Sequence, residues 1–487
     1  MKSILKATAV LSSASAVSIL MGLVSAKVGA LLLGPGGVGY MGLVQGLVGL
    51  AAILAGFGVS TGLVRAGAQA LAQGDEPELA ALRRGAWLLC WTLGGAGALA
   101  LVVFRAPVSR VMLGGPEHTG AVVVAALALV LNLTTGVQTG LLNAHHRVGA
   151  LARVGVLSSV CGTSLMMLCV WRWRERGIAP AVLALAVVNW AVAAYYLRGG
   201  VPAPRTRPTL ADAWRAARAL LRFGGPYTAS MLVGTGVQML LPVFVLHALS
   251  RDDVGFYRAA VAVSVNYLGF LLTAMAQDYY PRASGASAQP AALNSLINEQ
   301  LRLVLLLSGP VILGMLALVP YLVPLVYTAQ FTPAVALLEW QLIGDIFKFA
   351  AWTMSFVILA RSGSTAFFGT ELFGGASLLG FSWLGVRWLG LEGLGVGFTA
   401  CAAGYCVLCW LILRRALGLR WTTENKLLFL SLTAAACVIR ALPYVGLEVA
   451  RTPVALALAA AAGLASLYVI WGEFGGLRGL LARRKVA

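Results

Sequence analysis

Apolar runs of helix length follow one another with only short polar gaps, and that cadence most constrains what this chain can fold into. A bilayer core takes about 20 helical residues to cross. Runs such as 7–33, 119–143, 299–325 and 333–361 reach or exceed that length. About fourteen of them can be marked by continuous apolarity. With 60% hydrophobic and 11% charged residues, the chain has far more apolar surface than a soluble domain can bury. The strict alternation of a membrane β-barrel is absent. The expectation is an all-α polytopic membrane protein. Residues 1–33 resemble a signal peptide at first, with Lys2 and Lys6 ahead of the apolar run and a small-residue triplet ending at Ala26. The run continues past that point into a second one, so it reads as a first transmembrane helix.

The formal net charge is +19. Its distribution argues against nucleic acid, because the basic residues cluster in gaps between runs, as the positive-inside rule describes. With the N-terminus in the cytoplasm, roughly two dozen Lys and Arg fall on cytoplasmic ends and about ten on the other side. Both termini are then cytoplasmic and the span count is even. Anionic membrane lipids are a natural partner for this excess. The longest polar gap, 199–222, is rich in Pro and Arg before turning amphipathic. It reads as a cytoplasmic linker at the membrane surface.

An internal repeat organises the runs. Val38-Gly39-Tyr40 opens the second run, and Val254-Gly255-Phe256-Tyr257 opens the eighth in the same manner. The same offset separates Gly177 from Gly393 and Tyr196-Leu197-Arg198 from Ile412-Leu413-Arg414. Two pseudo-symmetric six-helix lobes follow, 1–198 and 223–417, arranged in parallel around a central cavity, as transporters are. Residues 418–487 add two further helices and a basic tail, for about fourteen spans.

Charges inside apolar runs are the candidate functional residues. Each one at the bilayer centre costs about 2.5–3.5 kcal/mol on insertion scales, so it faces a bundle interior or a watery cavity. In the run 333–361, Gln341, Asp345, Lys348 and Trp352 fall on one helical face. Asp345 and Lys348 read either as a self-neutralising pair that pins helix packing or as one wall of a transport pathway. Lys27 lies inside the first run and Arg65 near the inner end of the second. Arg258 and Asp278 stand at the two ends of the eighth, Arg361 ends the tenth, and Glu371 lies within the eleventh. For Arg65, Arg258 and Arg361, snorkelling to the interface is the simpler reading.

Several motifs carry no chemistry here. Gly34 to Gly39 matches G-x-G-x-x-G, but it joins two membrane runs rather than a strand and a helix. Cys406 and Cys409 form a C-x-x-C inside an apolar helix with no second pair. Asn132-Leu-Thr is inside a span, and no nucleotide-binding P-loop is present. No metal, organic cofactor or enzymatic activity is expected.

The segment Trp340-Gln341-Leu-Ile-Gly344-Asp345-Ile-Phe-Lys348, followed by Arg361 and Glu371, resembles Wzx-type O-antigen and enterobacterial-common-antigen translocases. So do the opening residues around Lys27, Val38-Gly39-Tyr40, Gly56-x-Gly58 and Arg65, and later Val254 to Tyr257 and Pro281. The opening is shared more widely across the multidrug, oligosaccharidyl-lipid and polysaccharide exporter superfamily. The resemblance covers about 1–417 and implies a V-shaped protein with a cationic cavity. It also implies a flippase carrying an undecaprenyl-pyrophosphate-linked oligosaccharide to the periplasmic leaflet of a bacterial inner membrane by alternating access. Lys27, Arg65, Lys348 and Arg361, with Gln341 and Arg258 beside them, would meet pyrophosphate or sugar. Asp345, Glu371 and Asp278 would balance charge or couple transport to a proton, a cation or the membrane potential. Arg258 and Asp278 match no position of the family pattern. The partners implied are a polysaccharide polymerase and a chain-length regulator, with a monomer as the working unit. The alternatives are another exporter of the superfamily, carrying a lipid-linked peptidoglycan precursor or exchanging drugs for cations, and a membrane-embedded glycosyl-transfer enzyme.

Overall fold

The computed structural model describes the backbone of residues 2–202, 206 and 208–473, and it is helical nearly throughout. Side chains of 2–16, 226–227, 230, 265–271, 273–274, 276–278, 362–365 and 448 lie outside the described residues. The helices are α1 Lys2–Gly56, α2 Val59–Gln73, α3 Glu76–Val103, α4 Arg105–Leu113, α5 Thr119–Ala144, α6 Val148–Leu157, α7 Thr163–Trp173 and α8 Ile178–Gly200. There follow α9 Leu210–Ala248, α10 Arg251–Gly285, α11 Pro290–Val326, α12 Ala334–Leu389, α13 Glu392–Leu417, α14 Thr423–Ala441 and α15 Glu448–Glu473. No strand occurs among the described residues. Ten stretches of these residues are long and apolar enough to cross a membrane. Two of them, Val17–Gly56 with 40 residues and Val148–Gly200 with 53, have length for two crossings each at about 20 residues per crossing.

The chain divides into two compact units, one of Met1–Arg258 with Val326–Gln330 and one of Ala259–Leu325 with Phe331–Ala487. In the first, α1 is two helical arms joined at Gly34 (φ 66°), directly before Pro35. The second arm crosses the first turns of α10 at backbone contact. A Cβ on Gly39 would collide with the Arg251 carbonyl, and one on Gly255 with the Pro35 carbonyl. The two glycines that mark the sequence repeat therefore meet each other across one crossing.

The expected run 38–69 is not one helix. It stops at Gly56 and restarts at Val59, with Phe57 and Gly58 both at positive φ. Helix α9 begins earlier than the seventh run, at a capping box in which Thr209 and Asp212 satisfy each other's backbone amides. Its first turns pack Ala216, Ala217 and Leu220 into a core with Leu63, Leu82, Leu89, Leu141 and Leu142. Residues 210–222 thus enter the next span without interruption.

In the second unit, α12 is helical for 56 residues where two spans were expected, since no proline interrupts 361–365. A straight helix would place Leu337 and Gly385 about 70 Å apart at 1.5 Å per residue. Yet Leu337 touches Gly395 and Gly385 touches Gly393, two positions apart on α13. The two arms of α12 therefore run side by side, and the expected pair of spans is recovered as a hairpin. The first arm is the most buried stretch of the unit, with Leu337, Leu342, Ile346, Ala350, Met354 and Val357 fully enclosed. Asn298 on α11 fixes the link between α13 and α14. Its side chain donates to the Arg420 carbonyl (3.0 Å) and accepts from the Thr422 amide (2.9 Å).

Candidate functional site

The first arm of α12 carries the expected polar face. Gln341 and Asp345 are one turn apart, and both are buried at 3% and 1% exposure. Lys348 lies one turn further on with its side chain 43% exposed. Its Nζ stands 3.6 Å from Asp345 Oδ1 and 5.8 Å from the centre of the Phe398 ring. The other carboxylate oxygen, Oδ2, accepts a hydrogen bond of 2.7 Å from Ser264 on α10. Gln341 Oε1 is buried with no hydrogen-bond partner among the described residues. Trp352, half-buried, stacks on Tyr279 with ring centroids 6.0 Å apart, and Tyr279 donates to the Thr353 carbonyl. A buried carboxylate that holds one hydroxyl donor depends on its cation to offset desolvation. Here that cation is at charge-contact distance rather than hydrogen-bond distance, on a flexible four-carbon stem.

The other sequence-derived candidates have partners of their own within each unit. In the first unit, Lys27 is half-buried and donates to the Tyr327 carbonyl at 2.6 Å. Arg65 is exposed, with its guanidinium 5.0 Å from the Phe223 ring. Arg258 is half-buried and donates to the Gly42 carbonyl at 3.2 Å. In the second unit, Arg361 is exposed and donates to the Ser287 carbonyl at 3.2 Å. Glu371 accepts from the Tyr405 hydroxyl at 2.8 Å, on the second arm of α12 against α13. The side chain of Asp278 lies outside the described residues.

A second buried cluster escaped the sequence reading. Glu339, 2% exposed, sits next to Trp340 on the same arm. One of its carboxylate oxygens faces Arg440 Nε of α14 at 2.9 Å, and the other is held by Arg451 of α15. Arg440 also reaches Glu392 of α13, and its guanidinium donates to the Tyr444 hydroxyl at 2.8 Å. Trp340 Nε1 donates to the same Glu392 at 2.8 Å. Two arginines and two glutamates cancel inside this lattice, which ties α14 and α15 to the rest of the unit. Arg440 inside the run 425–443 was the available signal, since the reasoning that singles out Lys348 applies equally to it.

A family model described as "Polysaccharide biosynthesis protein" matches residues 28–336. The chain is 25% identical over 375 residues to the Lipid III flippase of Escherichia coli (strain K12), covering 74% of this chain and 86% of that protein. A structure of the Lipid II flippase MurJ in an inward closed conformation superposes with a TM-score of 0.71 at 12% identity, over 95% of this chain and 99% of that one. An inward-facing multidrug resistance MATE family transporter of the MOP superfamily gives 0.68 at 18% identity, over 82% and 94%. These two likenesses show a shared transporter fold.

Proposed function

This chain belongs to the polysaccharide biosynthesis protein family, and from that premise we propose that it is a flippase. Its cargo is an undecaprenyl-pyrophosphate-linked oligosaccharide, an O-antigen or related repeat unit. It carries that cargo from the cytoplasmic to the periplasmic leaflet of a bacterial inner membrane, with both termini in the cytoplasm. The observation that carries this reading is Lys348. It is a half-exposed ammonium in a span, held beside a carboxylate that is 1% exposed. A diphosphate headgroup presents more negative charge than one aspartate, so it can draw the ammonium away while Ser264 keeps its hydrogen bond to Asp345. In a low-dielectric setting that attraction far exceeds its value in water. A lysine releases such a ligand more readily than a bidentate arginine. Asp345 then regains its partner on release, which resets the site. Asp345 and Glu371 are also the acids placed to couple the cycle to a proton or a cation.

The Lipid III flippase relative supports a lipid-borne cargo. A second reading, a lipid-linked peptidoglycan precursor, is favoured by the extent of the MurJ superposition, which takes in 99% of that chain. Deleting the gene and identifying the lipid-linked intermediate that accumulates in the inner leaflet tests both. An oligosaccharide on undecaprenyl pyrophosphate supports the first reading. A peptidoglycan precursor supports the second, and no accumulated intermediate contradicts both.

A further inference from the structure

Inside the first unit, the interruption between α1 and α2 opens onto a cavity of about 240 Å³. Gly56 and Gly58 line it from either side of the break, with Ser60, Cys90, Asn132 and Thr228 supplied by α2, α3, α5 and α9. Backbone that leaves the helical form inside a membrane protein is tolerated where protein buries it or where it borders a cavity. Phe57 adopts φ 45°, which is rare for a residue with a side chain. The break is pinned in place, since a Cβ on Gly224 of α9 would collide with the Phe57 carbonyl.

The lining contains no charged side chain among the described residues. Thr228 is 8% exposed, and its hydroxyl has no hydrogen-bond partner among the described residues. Ser60 donates to the Gly136 carbonyl at 2.8 Å, which leaves its oxygen able to accept. The terminal carbonyls of α1 lack intrahelical donors and carry the negative end of the helix dipole. That end repels phosphate. A calcium-like cation needs six to eight oxygens at about 2.3–2.6 Å, carboxylates among them; none is here. The space is that of about eight waters at 30 Å³ each, enough for a ring of a dozen non-hydrogen atoms. Most of the wall is apolar, with a few convergent hydroxyl, amide and carbonyl groups, the usual make-up of a small-molecule site.

We propose that this cavity is a subsite for an uncharged, hydroxyl-bearing sugar residue of the cargo. Thr228, Ser60 and Asn132 bond its hydroxyls, and the apolar wall covers its carbon faces. The assignment rests on the flippase reading, and the test separates the two. Equilibrium binding to the purified full chain in lipid nanodiscs is measured for three synthetic probes. These are a short-chain prenyl diphosphate, the same compound bearing one glucose, and the same bearing one glucuronic acid. The glucosyl probe is expected to bind about tenfold tighter than the sugarless one, with no such gain for the glucuronyl probe. Thr228→Val and Asn132→Leu erase that gain without weakening the sugarless probe, and Thr228→Ser restores it. An unchanged gain in Thr228→Val, or an equal gain for glucuronate, overturns the subsite. Equal binding of the glucosyl and sugarless probes to the wild type overturns it too, while leaving the flippase reading standing. Failure of all three probes to bind sinks both.

Discussion

Two buried carboxylates on the first arm of α12 are neutralised in opposite ways. Glu339 has an arginine on each oxygen, and those arginines are at most 13% exposed. Asp345 is at least as deeply buried, but its counter-charge is a lysine at 43% exposure, 3.6 Å away. A guanidinium is a rigid fork that fixes geometry, whereas an ammonium on a flexible stem keeps its freedom. The first cluster is closed and holds four helices together. The second is open on its cationic side, so its charge can be lent to a ligand. Burial of the acid alone therefore does not tell the two clusters apart; the exposure of its partner does.

The comparison breaks most visibly at Arg440. Removing one member of a buried charge cluster leaves an uncompensated charge, a loss of about 3–5 kcal/mol. Arg440→Leu is expected to lower the unfolding midpoint and the amount of protein in the membrane, both read by thermal unfolding in detergent and by immunoblot. Replacing Glu339, Glu392, Arg440 and Arg451 together by apolar residues should recover most of that loss, because the charges leave as a set. Next in size, Lys348→Ala should cut transport by at least about thirtyfold, the equivalent of about 2 kcal/mol of charge-pair binding. Its unfolding midpoint should move less than that of Arg440→Leu, since one acid rather than two loses a counter-charge. Transport of lipid-linked oligosaccharide in reconstituted vesicles checks it. Lys348→Arg sharpens the distinction further. The fork holds the diphosphate at least as tightly and releases it more slowly, so the rate falls about fivefold while binding does not weaken.

A surface acid supplies the baseline. The hydrogen bonds that Thr209 provides at the start of α9 hold the Asp212 carboxyl below its ordinary range. Its folded-state value is the lower one, so its contribution is present above the unfolded value and lost as pH falls through the folded value. The protection factors of the amides of residues 210–213, that is their exchange corrected for the intrinsic rate at each pH, should fall on acidification below about pH 4. Asp212→Asn should show little of that pH dependence. No comparable effect on transport is expected from this residue, whose side chain is 38% exposed at the start of α9.

Much of the architecture was legible because apolar length and glycine punctuation are local signals. The Val38-Gly39 and Val254-Gly255 anchors were legible only as a repeat; that they meet is set by the packing, where close backbone approach requires glycine on both. The break at Phe57 and Gly58 was less visible, as two glycines in an apolar run do not announce a positive φ. The Asp345–Lys348 pair could be read from spacing because both ends lie on one helix face. Glu339 and Arg440 are an equally real pair, but their meeting is set by packing of distant helices, which spacing does not encode. The cavity beside Thr228 was hidden for the same reason, its lining being drawn from five helices.

Exchanging the two charges, Asp345→Lys with Lys348→Asp, is the most direct measurement of whether the open pair serves transport or packing. The rate of lipid-linked oligosaccharide translocation is compared with wild type in vesicles carrying equal amounts of folded protein. The open-pair account predicts a variant that inserts and folds yet translocates at the background rate, because the exposed position now presents a carboxylate to a diphosphate. Wild-type translocation by the exchanged pair would contradict it and make Asp345 and Lys348 a packing contact like the arginine lattice beside them.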